Sequence, residues 1–407
     1  MTGTQGSMRI KSLDVLRGVG VLGMLAVHIQ LFAYPSVVRW NPTLYGDFNG
    51  LNWWAWVVTS VLADGKFITI FAMLLGVSIV MLASEADNRG VTAWRTHMRR
   101  MAVLLVLGLL HAHLLWFGDM LFPFALSGAV VFFARRLSPA RLLALGILAF
   151  SAASIISVGL TWSLMHSDPA VLAAWRAQWT PPPAVINLEI AQYRGSWAEQ
   201  MAQRVPAALE METVHFVGRM LWQMMGLMLL GMALFKLNVL SAARSRAYYL
   251  LMATLGFGAG ILLISLGLWR SSATNWDVLD FVLVSQELHY WGNLFVALGW
   301  TGLVMLLCQR GWSLRPVAAV GRMALTNYLL QSVMCTTIFY GHGFGLFGRV
   351  DRVGQLAIVV GIWAFQLLAS SVWFRYFAVG PVEWLTRWLV FKRRPSFVRS
   401  SPAIAEV

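Results

Sequence analysis

The chain has 407 residues, of which 58% are hydrophobic and only 12% charged, and its mean hydropathy is +0.67. This composition excludes a soluble domain and indicates a helical protein that crosses a membrane many times. The formal charge of +14 is divided among short basic loops between apolar segments, so it does not indicate a nucleic-acid partner.

The apolar segments predict ten transmembrane helices in one domain that covers residues 1–407. With the N-terminus in the cytoplasm, 22 of the 31 Lys and Arg residues fall on the cytoplasmic side. We therefore predict an all-α, polytopic integral membrane protein, N-in and C-in. The spans are expected near 13–33, 66–83, 101–117, 120–134, 142–163, 215–235, 247–268, 289–308, 317–340 and 354–377.

Three further segments have patterns of their own. Residues 51–63 are too short to span alone and are expected to be interfacial or re-entrant. The loop 164–214 is predicted to be an extracytoplasmic insertion with one or two short amphipathic helices, serving as a connector or as a lid over an outward cavity. Residues 378–407 are predicted to form an amphipathic and basic cytoplasmic tail, with a structural ion pair between Glu383 and Arg387.

The first predicted helix, LDVLRGVGVLGMLAVHIQLF, contains three ionisable residues. Arg17 and His28 are 11 residues apart, which places them on one helix face roughly 16 Å apart. Asp14 lies one turn before Arg17 and predicts a local ion pair. Ionisable groups inside a membrane indicate a functional site. The alternatives are a topology anchor for Arg17 and a helix–helix hydrogen bond for His28.

Two more polar clusters lie within predicted spans. In LLHAHLLWFGDML, His111 and Asp119 could form a histidine base that is oriented by a carboxylate. Only one of His111 and His113 can face the interior. The alternative is an interfacial histidine with a capping aspartate.

Cys308 and Cys335 are far apart and are expected to be free thiols, with no metal site.

The third cluster, VGRMALTNYLLQS, has too many polar groups for a lipid-facing helix. Asn327 and Gln331 share one face, and Arg322 lies near the cytoplasmic end. These groups must bond to partners in the protein or line a cavity. The alternative to a functional site is a purely structural hydrogen-bond network.

The motifs LDVLRGVGVLGML, KFITIFAMLLG, HAHLLWFGDML, VGRMALTNYLLQS and GPVEWLTRW resemble the YeiB-like family of bacterial inner-membrane proteins over essentially the whole chain. That family more distantly resembles transmembrane acyltransferases, among them the acyltransferase-3 O-acetylases and heparan glucosaminide N-acetyltransferase. Arg17 and His28 have the acyltransferase-3 spacing of an Arg, ten residues and a His, although YeiB-like sequences often carry Asn in place of His28.

Together, the resemblance and the polar clusters suggest acyl transfer across a bacterial inner membrane. Acyl-CoA, with acetyl-CoA favoured, would bind at Arg17 and Arg322. An extracytoplasmic glycan, lipid or small molecule would be the acceptor. His28 or the His111–Asp119 pair would act as base, with Asn327 or Gln331 stabilising the oxyanion or positioning the acceptor.

Membrane lipids are the expected surroundings, no nucleic acid or metal is expected, and homo-oligomerisation stays open. The alternatives are a transporter or lipid- or anion-handling protein without catalysis, and a membrane protein whose polar groups only hold helices together.

Overall fold

A computed structural model describes residues 11–88, 92–311, 314–392 and 394–398. Over these residues the protein is helical, apart from an isolated bridge between Phe377 and Val398, which confirms the predicted all-α class. The predicted tail is described as far as residue 398, with residue 393 omitted, and positions 399–407 lie outside the described residues.

The helices follow the predicted apolar segments closely. The first are α1 (Lys11–Ala33), α2 (Gly50–Leu62), α3 (Lys66–Asn88), α4 (Ala93–Leu114), α5 (Leu121–Val131) and α6 (Pro139–Met165). Next come α7 (Pro169–Trp179), α8 (Pro183–Arg194), α9 (Trp197–Glu210), α10 (Leu221–Lys236) and α11 (Arg246–Ala273). The last are α12 (Val278–Asp280), α13 (Gln286–Gln309), α14 (Arg315–Arg322), α15 (Ala324–Phe339), α16 (Arg352–Tyr376) and α17 (Pro381–Phe391). A π-helical segment, Met211–Met220, joins α9 to α10.

Seven helical stretches within the described residues are long and apolar enough to cross a membrane, which supports a multi-pass protein. They are Lys11–Ala33, Gly50–Glu85, Pro139–Met165, Trp197–Lys236, Arg246–Ala273, Val278–Gln309 and Arg352–Tyr376. The predicted spans at 101–117, 120–134 and 317–340 are not among them. α5 has only 11 residues, α4 begins with a basic turn, and 317–340 is broken into α14 and α15. The ten-span count and the orientation therefore stay predictions.

The break between α14 and α15 lies at Met323, whose φ of −121° and ψ of 45° are not helical. The carboxylate of Glu383 in α17 accepts hydrogen bonds there from Leu325 N at 2.8 Å and from Thr326 N at 3.1 Å. Amide groups in the first turn of a helix lack partners within the helix, and a carboxylate satisfies them well. Glu383 therefore caps α15, and the predicted ion pair with Arg387 is not formed.

α1 is central to the bundle and packs against α3, α14, α15 and α16. Glycines make the closest approach possible. A Cβ atom added to Gly18 would lie 2.0 Å from the carbonyl oxygen of Val317. The inner-facing groups of α1 are thereby brought directly against the broken α14–α15 pair.

The segment 164–214 forms three helices, α7 to α9, where one or two were predicted. Arg204 in α9 is fully buried and donates from Nη1 to the carbonyl of Leu114, at the end of α4, at 2.6 Å. The segment is therefore packed onto the helix bundle and is more than a solvated connector. Cys308 and Cys335 are both free thiols, as predicted.

Candidate functional site

A chain of three buried side chains lies at the end of α4. His111 Nδ1 is 2.8 Å from Asp119 Oδ1, and His111 Nε2 is 2.8 Å from Ser332 Oγ of α15. The exposed fractions of the three residues are 2%, 5% and 2%. The structure thus joins the predicted His111–Asp119 pair to a hydroxyl that lies 221 residues further along the chain.

The turn between α4 and α5 positions Asp119. Its Oδ2 accepts a hydrogen bond from Phe122 N at 2.7 Å, in the first turn of α5. Tyr328 of α15 donates its hydroxyl to Asp119 Oδ1 at 3.4 Å and accepts from Met120 N at 3.1 Å. Gly108 leaves room for the carboxylate, because a Cβ atom there would lie 2.8 Å from Asp119 Oδ2. The aspartate is therefore held rigidly against the imidazole.

The hydrogen-bond partners of His111 determine which nitrogen carries a proton. A carboxylate accepts but does not donate, so His111 Nδ1 is the nitrogen that donates to Asp119. Nε2 is then the acceptor, and the Ser332 hydroxyl donates to it. This order of nucleophile, base and orienting carboxylate is the one that activates hydroxyl groups in enzymes.

The two predicted catalytic histidines, His28 and His111, both contact the indole ring of Trp116. The centroid of its indole is 5.0 Å from the ring of His28 and 6.3 Å from the ring of His111. Phe32 stacks on the same indole at 4.2 Å. His28 is buried, and among the described residues neither of its ring nitrogens has a hydrogen-bond partner. It therefore lacks the carboxylate that orients His111.

A small cavity reaches Asp119 from the side of the π-helical segment, and its wall includes Phe122, Glu212 and Met220. Glu212 Oε2 bonds to Nε2 of His113 at 3.2 Å, whereas its buried Oε1 has no hydrogen-bond partner among the described residues. Only His111 of the two neighbouring histidines faces the interior, as predicted. Sequence reasoning missed Glu212, because it comes 93 positions after Asp119 in the long insertion, with no nearby motif.

The predicted donor-site arginines, Arg17 and Arg322, lie on α1 and α14, which pack together where Gly321 meets the backbone of Asp14 and Gly18. Arg17 Nη1 is 3.4 Å from Asp14 Oδ1, which is the local ion pair expected from the sequence. The guanidinium of Arg322 lies over the ring of Phe374 at 3.6 Å and donates to the carbonyl of Ala378 at 3.3 Å.

Arg17 also lies within electrostatic range of another arginine, Arg100. Arg17 and Arg387 are the charged groups that act electrostatically on Arg100 in α4. Arg100 also donates to the hydroxyl of Ser78 in α3. We call Arg17, Arg100 and Arg387 the inner arginine cluster. Arg387 was expected only as an ion-pair partner of Glu383, and it is available to the cluster because Glu383 caps α15.

Asn327 and Gln331 share a buried face, as predicted, but they bond to neighbouring helices. Asn327 Nδ2 donates to Val320 O at 3.2 Å and to Ser370 Oγ at 3.1 Å. Gln331 Nε2 donates to Val21 O at 3.1 Å and to Gln366 Oε1 at 2.9 Å. Both hydrogens of each amide are thereby used in holding α1, α14, α15 and α16 together, so none is left for an oxyanion.

Comparison with known proteins gives the chain its family. Residues 234–393 match the family described as "Protein of unknown function (DUF418)". The whole chain is similar to the uncharacterized protein YeiB of Escherichia coli strain K12, with 30% identity over 391 residues that cover 94% of this chain and 96% of YeiB. It is also similar to the uncharacterized protein YxaH of Bacillus subtilis strain 168, with 28% identity over 396 residues and 93% of each chain. The chain therefore belongs to the DUF418 family of YeiB-like proteins.

Proposed function

We propose that the protein is an acyltransferase of the bacterial inner membrane, which moves an acyl group from cytoplasmic acyl-CoA to a hydroxyl or amine acceptor on the outer side. One observation carries the proposal: buried His111 is bonded to Asp119 through Nδ1 and to the hydroxyl of Ser332 through Nε2. A histidine held in this way takes a proton from an attacking hydroxyl or amine and returns it to the leaving group.

The inner arginine cluster supports a thioester donor that carries phosphates. Guanidinium groups pair bidentately with phosphate oxygens, and the charges of Arg17 and Arg387 both act on Arg100. Acetyl-CoA is the donor that we favour, because the resemblance to transmembrane acetyltransferases points to it. We place the donor phosphates at this cluster, which retains Arg17 from the Arg17–Arg322 pair expected from the sequence.

The cavity between Asp119 and Glu212 supports an acceptor route from the other side. It reaches the aspartate that orients His111, and the unpartnered Oε1 of Glu212 accepts a hydrogen bond from any hydroxyl or ammonium group that enters. Glycans, lipid headgroups and small polyols or amines all carry such groups.

A transporter without catalysis is the second candidate, and one observation favours it. α14 and α15 form a helix broken at Met323 inside the bundle, and broken helices form substrate and ion sites in secondary transporters. Fully buried Lys66 lies close in sequence to the Arg39–Asp64 ion pair, away from the His111 site. A transporter consumes no thioester, which separates the two candidates.

The test uses purified full-length protein in detergent with acetyl-CoA labelled in the acetyl group and an extract of bacterial envelope lipids and glycans. We expect label to pass to a component of the extract. His111→Gln should lower the rate by about 10²–10⁴-fold, the usual contribution of a general base. His97→Gln is the matched control, because His97 is also buried in α4 but bonds only to the carbonyl of Gly128. If the label stays in acetyl-CoA although the parent protein is folded, the proposal is contradicted.

A further inference from the structure

We infer that Ser332 is the nucleophile of a two-step reaction, in which it carries the acyl group as an ester between donor and acceptor. The inference rests on the proposed acyl transfer and deepens it by adding a covalent intermediate. Its basis is the placement of Ser332 Oγ at 2.8 Å from His111 Nε2, on the side of the imidazole opposite Asp119.

Ser332 has the one contact that a serine nucleophile requires. A serine hydroxyl is a weak nucleophile until an adjacent base removes its proton, and the base must be oriented by a third group. The Asp119 carboxylate makes Nε2 the acceptor, so the described hydrogen bond already points the hydroxyl proton at the base. Cys335, one turn further along α15, is fully buried, and none of the described hydrogen bonds joins it to a base.

An unpartnered hydrogen-bond donor lies beside this site. Nε1 of Trp116 is buried and has no hydrogen-bond partner among the described groups, although a buried indole N–H usually has one. The same indole contacts the ring of His111 edge-on. A donor of this kind suits the oxyanion that forms on the acyl carbonyl during attack. Trp116 therefore takes the role that the sequence had suggested for Asn327 or Gln331.

The first step acylates Ser332. Its Oγ attacks the thioester carbonyl carbon while its proton passes to His111 Nε2. A C–O bond forms, the C–S bond breaks, and the departing CoA sulfur takes the proton from His111 to leave as free CoA. In the second step, the acceptor hydroxyl or amine gives its proton to His111 and attacks the serine ester. The acyl C–O bond to Ser332 breaks, and Oγ recovers the proton.

A covalent intermediate fits a reaction whose partners come from opposite sides. In a direct transfer, CoA and the acceptor must meet at one carbonyl carbon at the same time. With Ser332 as carrier, CoA returns to the inner side before the acceptor arrives through the cavity beside Asp119. The two molecules then use the site in turn.

Isotope exchange tests the inference without an acceptor. Purified full-length protein is mixed with acetyl-CoA and labelled free CoA, and the label that enters acetyl-CoA is measured. Such exchange requires an acyl-enzyme, so the parent protein should catalyse it, and tandem mass spectrometry of the acid-quenched protein should place an acetyl group on Ser332. Ser332→Ala should lose exchange and acetyl transfer by about 10²-fold or more.

Two control variants test whether a loss of exchange is specific to the Ser332 hydroxyl. Ser370→Ala removes a buried hydroxyl from the neighbouring α16 and should exchange like the parent. Ser332→Cys keeps a nucleophile at the position and should retain the acetyl group as a thioester. Thermal unfolding of each purified variant shows whether a loss reflects folding.

Four results would overturn the inference, and the first three separate it from the proposed function. If the parent protein acetylates the envelope extract but shows no exchange, transfer is direct with His111 as base. The proposed function then holds without the acyl-enzyme. The inference also fails if Ser332→Ala transfers at the parent rate, or if the acetyl group is found on His111 or Cys335, which would make another residue the carrier. Parent protein that neither exchanges nor transfers would overturn both.

Discussion

The backbone of Asp14 in α1 rests directly on Gly321 in α14: a Cβ atom added to Gly321 would lie 1.9 Å from the carbonyl oxygen of Asp14. A methyl group there must push the two helices apart, and overpacking of this kind typically costs about 1–3 kcal/mol. We predict that Gly321→Ala lowers the thermal unfolding temperature in detergent.

Gly258 in α11 is the control for this prediction, because nothing lies within 4 Å of a Cβ atom at that position. Gly258→Ala should leave the protein equally or more stable, since alanine favours a helix over glycine by about 1 kcal/mol. Equal stability of Gly321→Ala and Gly258→Ala would show that α1 and α14 are not in close contact.

Glu383 should stabilise the protein by capping α15. Glu383→Gln removes the charge that accepts from Leu325 N and Thr326 N, and losses of helix caps cost about 1 kcal/mol. A double-mutant cycle measures its partners: Glu383 should couple to Thr326, whose hydroxyl donates to it at 2.6 Å. Coupling to Arg387 should be near zero, and a large Glu383–Arg387 coupling would restore the ion pair expected from the sequence.

Arg352 should hold the segment between α1 and α2. Its guanidinium is buried and donates to the carbonyls of Asp47 at 2.6 Å and Pro42 at 2.8 Å. Arg352→Ala leaves these acceptors unpaired, at about 1–3 kcal/mol for each buried group, and should lower the unfolding temperature. Arg349→Ala is the control because Arg349 is exposed three positions earlier, and an equal loss in both variants would contradict the role of Arg352.

The inner arginine cluster should bind the phosphates of CoA. Arg17→Lys replaces a planar fork with a point charge and should weaken CoA binding by about 1–3 kcal/mol in isothermal titration. Arg322→Lys should bind CoA like the parent, because the Arg322 side chain is directed to Phe374 and Ala378. If Arg17→Lys binds CoA as tightly as the parent, Arg17 is a topology anchor and not part of the donor site.

The sequence predicted local relationships well. The pairing of Asp14 with Arg17 follows from helix geometry within one segment. So does the expectation that only one of His111 and His113 faces the interior. These features need no knowledge of which helices are neighbours.

Contacts between distant segments could not be predicted from the sequence. The polar residues of 320–332 were recognised as a group, but helix geometry alone does not say that Ser332 bonds to His111 while Asn327 and Gln331 bond to α16 and α1. The break at Met323 was missed because MALTN contains neither glycine nor proline, and the cap that permits it comes from Glu383, 60 positions later. Glu212 and Trp116 were missed for the same reason.

His28 and His111 contact the same indole, yet only His111 has a carboxylate partner. The central claim is that His111 is the base, and the most direct test compares acetyl transfer by His111→Gln and His28→Asn with the parent rate. The account predicts that His111→Gln loses about 10²–10⁴-fold while His28→Asn keeps most of the activity. Transfer at the parent rate by His111→Gln, with loss in His28→Asn, would contradict it.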